Sequence, residues 1–299
     1  MSLYNGKVYR GTLDAHMVAL DQKTGKEVWK TKVAEWKEGF SIIGAPLVAN
    51  GVVVTGVSGA EFGIRGFLDG YDPDTGKRVW RRYTIPAPGE KGSETWPKSE
   101  AWSRGGGSTW ITGSYDPELD LMFWGTGNPV PMFDPTYRPG DNLFTNSAIA
   151  FDLSNGKITW WHQYTPNDNR DYDETGTHIL IDTKVNGEDR KIVTHPGRNG
   201  FNYTFDRTNG QFLKAGQYVG KVNWTKGIDP KTGKPLDYDS SKDFQLYAEP
   251  ANVNTDKLAR RVCPDQAGGN NFWPSSYSPK TKMLYVPSVE GCSDITPDH

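Results

Sequence analysis

Gly70-Tyr71-Asp72-Pro73-Asp74-Thr75-Gly76-Lys77-Arg78-Val79-Trp80 is the stretch from which the architecture can be read, because the chain repeats it. The pattern returns as Ala19-Leu20-Asp21-Gln22-Lys23-Thr24-Gly25-Lys26-Glu27-Val28-Trp29 and as Ala150-Phe151-Asp152-Leu153-Ser154-Asn155-Gly156-Lys157-Ile158-Thr159-Trp160. A further copy runs from Thr204 through Asp206 and Gly210 to Lys214, with Lys where the others have Trp. Asp precedes Gly by four positions in every copy, so a strand is expected to run into a turn in which Asp accepts backbone N–H bonds and Gly takes a positive φ. A second strand follows, ending on a Trp placed to dock against the next unit. Such a unit cannot bury its own apolar face, so the units must stack side by side. Radial stacking makes an all-β propeller of four-stranded blades.

The upstream halves of the units are visible as Asn5 to Tyr9, Ala49 to Val54 and Tyr115 to Trp124, and Tyr277 to Tyr285 opens one more. Four blades and part of a fifth are expected, in a single domain over residues 1–299. Two long insertions, Pro86 to Trp102 and Pro129 to Leu143, interrupt the spacing and are placed where loops commonly carry function. Met1-Ser2-Leu3 runs directly into a strand pattern, so a truncated start without any targeting peptide is expected.

Composition agrees with many short strands and tight turns: 37 aromatic residues (11 Trp, 14 Tyr and 12 Phe) accompany 34 Gly and 20 Pro. A formal net charge of −2, with acidic and basic residues interspersed, leaves no electrostatic footprint for nucleic acid or an anionic membrane. Apolar runs such as Val52 to Val54 are too short to span a bilayer. Asp72 to Gly76 lacks the further carboxylates and flanking helices of a calcium loop, and Gly125-Thr126-Gly127 lacks the third glycine of a dinucleotide fingerprint. Cys263 and Cys292 are the two cysteines, in no zinc spacing, and are read either as a disulfide or as free buried thiols.

The repeat resembles the tryptophan-docking motif of the quinoprotein alcohol dehydrogenases, whose eight four-stranded blades surround pyrroloquinoline quinone (PQQ). That resemblance implies a partial propeller here, with N- and C-terminal blades missing. Blades of this type also occur in cofactor-free propellers that act as protein-binding scaffolds, which is the alternative reading. Chemistry must therefore come from residues outside the repeat. Ser58-Gly59-Ala60-Glu61 resembles the family segment whose small residues approach the quinone and whose glutamate binds the metal. Gly105-Gly106-Gly107-Ser108-Thr109-Trp110 resembles the run that lays an indole flat beneath the cofactor, with Ser108 implied to bond a cofactor carboxylate. Eighteen residues after Trp110, Asn128 matches the family asparagine that gives the metal an amide oxygen, a donor suited to a hard cation.

Asp171 stands where the family has its catalytic aspartate, which also touches the metal, and Asp173 stands two residues on. In an extended segment the two carboxylates would face the same side and meet one cation. Relatives selecting lanthanides carry aspartate at that second place, whereas calcium users have a neutral residue, so the resemblance implies Ca2+ or a lanthanide ion. Arg198, in His195-Pro196-Gly197-Arg198-Asn199-Gly200, matches the arginine that hydrogen-bonds the quinone oxygens; Asn271 resembles a further cofactor contact. The cysteines bracket Asn271 as a structural disulfide does in the family, which implies a periplasmic location.

The resemblance implies oxidation of primary alcohols to aldehydes by metal-assisted hydride transfer to PQQ. Asp171 would take the alcohol proton, and electrons would pass to a cytochrome c-type acceptor. The sequence departs from the family at three places: Arg170 replaces a tryptophan, Ile43 replaces a hydroxyl residue, and no adjacent cysteine pair exists. An open propeller exposes strand edges and unstacked faces, so association, for example as a homodimer, is expected.

Overall fold

A computed structural model describes residues 1–247, 253 and 258–296. Four antiparallel sheets of four strands each follow one another along the chain. The first contains β1 (Ser2–Tyr4), β2 (Lys7–Gly11), β3 (His16–Asp21) and β4 (Glu27–Lys32), in that spatial order. The second contains β5 (Leu47–Ala49), β6 (Val52–Gly56), β7 (Phe67–Tyr71) and β8 (Arg78–Tyr83). The third contains β9 (Ser114–Asp116), β10 (Leu121–Gly125), β11 (Ser147–Asp152) and β12 (Ile158–Gln163), again with sequence neighbours side by side. The fourth runs β13 (Ile179–Val185), β14 (Glu188–Pro196), β15 (Phe201–Asp206) and β16 (Phe212–Gln217). The first strand of each sheet lies beside the first strand of the next, β1 by β5, β5 by β9 and β9 by β13, which is the radial order of a propeller.

Past the fourth sheet, β18 (Ser276–Ser278) and β19 (Met283–Tyr285) form a hairpin whose first strand lies beside β13, continuing the ring as the expected partial unit. Flanking this hairpin in sequence, β17 (Ala259–Val262) pairs with β20 (Ser293–Ile295). Among the described residues no helix is long and apolar enough to cross a membrane.

Burial follows from the stacking. Strand β7 is buried at all five positions because neighbouring sheets cover both of its faces, whereas outer strand β4 buries only Trp29. Separate apolar clusters fill the three junctions: Tyr9, Trp29 and Val53 in the first, Val54, Trp80 and Met122 in the second, Phe123, Trp160 and Phe205 in the third.

The turns form as their sequence requires. Asp72 Oδ1 accepts from the N–H of Asp74 (3.0 Å) and Thr75 (2.8 Å), and Gly76, at φ +68°, donates its N–H to the Asp72 carbonyl (3.0 Å). A Cβ on Gly76 would sit 2.5 Å from a ring carbon of Trp29, so the glycine also leaves room for the indole docking from the preceding sheet. The docking bond is the same at each junction: Trp29 Nε1 donates to Pro73 O (3.1 Å), Trp80 to Leu153 O (3.0 Å) and Trp160 to Arg207 O (3.1 Å). Each acceptor directly follows the turn Asp of the next repeat, so repeat spacing and interlocking are one device. The same turn recurs, unforeseen from the repeat, at Asp229 to Gly233, where Asp229 Oδ1 accepts from Lys231 and Thr232 N–H (2.8 Å each) and Gly233 lies against His162 and Phe212.

Cys263 and Cys292 are joined as a disulfide 29 residues apart. Replacing both by serine is expected to lower the unfolding free energy by about 3 kcal/mol, the loop-closure scale for such a span. A denaturation midpoint that matches the unmodified protein would contradict this.

Candidate active site

The site is assembled from segments that leave the strands at one end of the sheets. After β6 the chain passes through Val57, whose N–H donates to Thr109 Oγ1 (3.0 Å) and whose carbonyl accepts from Thr109 N–H (2.9 Å). These bonds lay Ser58 and Gly59 alongside Ser108 and Trp110. Ala60 is buried in the short turn Ala60–Phe62 behind this surface, while the exposed Glu61 side chain lines the cavity in front of it. Asn128 is held from below, with Gly127 N–H donating to Ser108 O (2.8 Å) and Gly107 N–H to Asn128 O (2.9 Å). Its Nδ2 donates to Pro129 O (3.0 Å), and its buried Oδ1 has no partner among the described residues.

The carboxylate of Asp168 accepts from the N–H of Arg170 (3.1 Å) and of Tyr172 (2.9 Å), closing a tight turn. Asp171 sits within that turn at φ +63°. The expectation of an extended segment at Asp171 and Asp173 is therefore corrected: the Asp168 bonds force a left-handed residue there. Both carboxylates still line one cavity. Arg170, the departure from the family tryptophan, is fully buried, with its guanidinium 5.5 Å from the Tyr247 ring centroid and 5.9 Å from that of Trp224. A planar cation thus packs where an indole was expected.

Asp173 is strongly engaged. Its Oδ1 accepts from Asn128 N–H (2.6 Å), and its Oδ2 accepts from Trp110 Nε1 (2.9 Å) and lies 3.4 Å from Arg198 Nη2. Arg198 spreads its remaining donors over the cavity wall, with Nη1 donating to Asp171 O (2.7 Å) and Gln266 O (3.1 Å) and Nη2 to Asn271 Oδ1 (2.9 Å). Among the described residues the buried Arg198 Nε has no partner, nor has Ser58 Oγ.

These groups surround a cavity of about 450 Å³, with Glu61, Ser108, Trp110, Asp171, Asp173 and Arg198 in its wall. Ser58, Gly59 and Asn271 also reach it, whereas Ala60 and Asn128 stand just behind. The Asp171 carboxyl is pushed up to about 8, first by burial and then by the neighbouring Asp173 charge, against the pull of Arg198. A cation in the cavity would remove both penalties. Among the described residues no three His, Cys, Asp or Glu side chains stand close enough to ligate a metal by themselves.

Sequence reasoning missed the group behind the site. Glu174, fully buried, lies 2.9 Å from His195 Nε2, and the His195 ring stacks on His178 at 4.2 Å and 2°. Burial raises the Glu174 carboxyl well above the usual range and lowers the His195 imidazole to about 4. The available signal was an acidic residue adjoining the Asp171 and Asp173 pair, which reads in sequence as a solvated charge run. Ile43 and Phe272 add an apolar rim to the cavity that motif matching did not assign.

A second cavity of about 1130 Å³, lined by Trp36, Phe62, Arg65, Arg81 and Trp102, is larger. Three arginines line it, of which Arg81 pairs with Asp69 (2.7 Å) and Arg65 with Ile85 O (2.6 Å). The smaller cavity has Ser58 and Arg198, whose Oγ and Nε are buried with no hydrogen-bond partner among the described residues, in its wall beside Glu61, Asp171 and Asp173.

Residues 32–215 match the family model described as PQQ, glucose/ethanol/alcohol dehydrogenase, beta-propeller domain. The chain is 38% identical to the quinoprotein alcohol dehydrogenase PedH of Pseudomonas putida, over 99% of this chain and 51% of that protein. It is 39% identical to the lanthanide-dependent methanol dehydrogenase of Methylacidiphilum fumariolicum, over 96% of this chain and 48% of that one. The solved structure of a europium-containing methanol dehydrogenase superposes with a TM-score of 0.87 at 38% identity, covering 96% of this chain and 51% of that one. The chain thus spans about half the length of the curated relatives it matches.

Proposed function

The chain belongs to the PQQ-dependent glucose/ethanol/alcohol dehydrogenase β-propeller family, and from that premise we propose that the protein oxidises primary alcohols to aldehydes with PQQ and a bound Ca2+ or lanthanide ion. The observation that carries the proposal is a single cavity that gathers Glu61, Asp171, Asp173, Arg198 and the Trp110 indole while Ser58 Oγ and Arg198 Nε beside it, and Asn128 Oδ1 just behind, are buried without partners among the described residues. Buried polar atoms left unpaired cost free energy, so a polar ligand that pairs them is favoured. The donor set is all oxygen, which suits a hard cation of high coordination number, and the cofactor's own oxygens would complete the shell. A cofactor-free scaffold gives no reason for this arrangement.

In this reading Glu61, Asn128, Asp171 and Asp173 would supply oxygens to a cation whose shell the cofactor completes, and Ser58, Gly59, Ala60, Ser108, Trp110, Arg198 and Asn271 would hold the quinone. Bound PQQ would supply the acceptor for the hydride, made more electrophilic by the cation. Asp171 accepts the hydroxyl proton of the alcohol. Arg198, as a guanidinium donor, stabilises negative charge instead of serving as the base. Trp110 offers a flat apolar face whose tilt is set by its bond to Asp173. The electrons would leave to a cytochrome c-type acceptor. Residues 1–299 would form one partial propeller domain, its open edges closed by further blades or by a second copy in a homodimer. A disulfide at Cys263 and Cys292 supports a periplasmic setting.

The test is reconstitution with PQQ and either Ca2+ or La3+, followed by dye-linked oxidation of ethanol. Asp173→Ala is expected to reduce La3+-dependent activity by about tenfold or more, the usual consequence of losing a group that holds or orients a metal. Equal activation by the two ions, untouched by the substitution, would remove the lanthanide assignment. Absence of any PQQ-dependent turnover in the intact protein would remove the dehydrogenase assignment itself.

A further inference from the structure

Glu174 plays no part in the proton or hydride chemistry above, yet it is fully buried at the junction of the segments that build the cavity. Its Oε2 accepts from the N–H of Arg198 (2.9 Å) and its Oε1 from the N–H of Asn199 (3.3 Å). A Cβ on Gly197 would lie 2.7 and 3.0 Å from the two carboxylate oxygens, so the carboxylate is seated directly on the Gly197 to Asn199 backbone. Consecutive backbone N–H groups turned toward one acceptor group form a nest, and the oxygens they meet in turn fix the turn. On its own side Glu174 is tied through its N–H to Thr126 O (3.2 Å), two residues before Asn128.

The carboxylate is itself braced. His195 Nε2 lies 2.9 Å from Oε2, His178 covers the His195 ring in parallel, and His178 Nε2 lies 3.1 Å from the Tyr164 hydroxyl. One residue therefore joins three stretches: its backbone N–H meets the one bearing Asn128, and its side chain ties its own stretch, with Asp171 and Asp173, to the one bearing Arg198. The Arg198 guanidinium reaches Asp171 O, Gln266 O and Asn271 Oδ1 only if its backbone is held at this depth.

We propose that Glu174 is a positioning residue: by anchoring the Arg198 and Asn199 amides it sets where the Arg198 guanidinium sits in the cavity and hence its register on the quinone and on Asp173. The inference rests on the alcohol-oxidation reading for its catalytic consequence, but the anchoring itself does not. Displacing a positioned donor by about 1 Å costs about 100-fold in rate. Glutamine keeps the reach and one acceptor oxygen, whereas alanine removes the anchor and aspartate withdraws it by one methylene.

Three substitutions in the intact protein, Glu174→Ala, Glu174→Asp and Glu174→Gln, test this by site-resolved amide exchange, by PQQ titration and by steady-state kinetics. Alanine and aspartate are expected to speed exchange at Arg198 and Asn199 by about tenfold or more while sparing the sheet amides, because local opening is freed without global unfolding. They are expected to weaken PQQ binding and to lower kcat by about 100-fold with little change in the alcohol KM, the signature of an interaction made chiefly in the transition state. Glutamine should restore most of both. Should the alanine variant fail to fold, the aspartate variant carries the test. Unchanged Arg198 exchange together with unchanged kcat would overturn the proposal, and so would a glutamine variant as impaired as alanine. If the unmodified protein binds no PQQ, the dehydrogenase reading fails, while exchange at Arg198 and Asn199 still decides whether Glu174 anchors the turn.

Discussion

Asp171→Asn is expected to lower kcat for alcohol oxidation by about 1000-fold, within the range general bases contribute. The substitution keeps size and hydrogen-bonding reach but removes the capacity to take a proton. Asp171 has the placement of a base: it lines the cavity, its turn is locked by the Asp168 carboxylate, and it lies 3.6 Å from Arg198 through Oδ2. The Arg198 bond to this residue runs to the Asp171 backbone carbonyl, which asparagine retains. The cavity wall should therefore survive and PQQ titration should remain measurable. Kinetics and PQQ titration together check the result. Activity within about tenfold of wild type would deny Asp171 the role of base, since a base of this kind is worth more than that.

Trp160→Ala is expected to destabilise the fold by about 3–5 kcal/mol, the range for deleting a buried indole from a packed core. The ring packs between Phe123 (5.8 Å between centroids) and Phe205 (6.1 Å), lies over Gly210 and donates to Arg207 O. Removing it opens the junction between the third and fourth sheets and strands a buried carbonyl. Trp36→Ala is the matched comparison: at 52% exposure it stands outside every junction and should cost no more than about 0.5 kcal/mol. Denaturant midpoints of the two variants measure the difference. Similar midpoints would mean that the docking bond does not hold the sheets together.

Much of this molecule is legible in its linear order. The spacing from Asp72 to Gly76 to Trp80 encodes a turn, a strand and a docking indole, because each depends on neighbours within a few residues or on an identical partner one repeat away. The donors of the cavity were also legible as residue types, and Glu61, Trp110, Asp171, Asp173, Arg198 and Asn271 do meet in its wall. What failed was local conformation under a non-local constraint. Asp171 was read as extended, but the turn closed by Asp168 places it at φ +63°. Arg170 was legible only as a missing tryptophan, not as a buried cation packed near Trp224 and Tyr247.

By itself, then, the order of residues determined the blade, its repeat, its interlock and the oxygen-rich chemistry of the donors, since periodicity and residue type are properties of the chain. Only the tertiary structure decided how Asp173 divides its oxygens among Asn128, Trp110 and Arg198, and that Glu174 is an anchor within a histidine-braced interior instead of a solvated charge. Those choices rest on contacts between segments dozens of residues apart, such as the 63 separating Trp110 from Asp173. In such contacts burial and hydrogen-bond geometry, which no local pattern records, set what each carboxylate does.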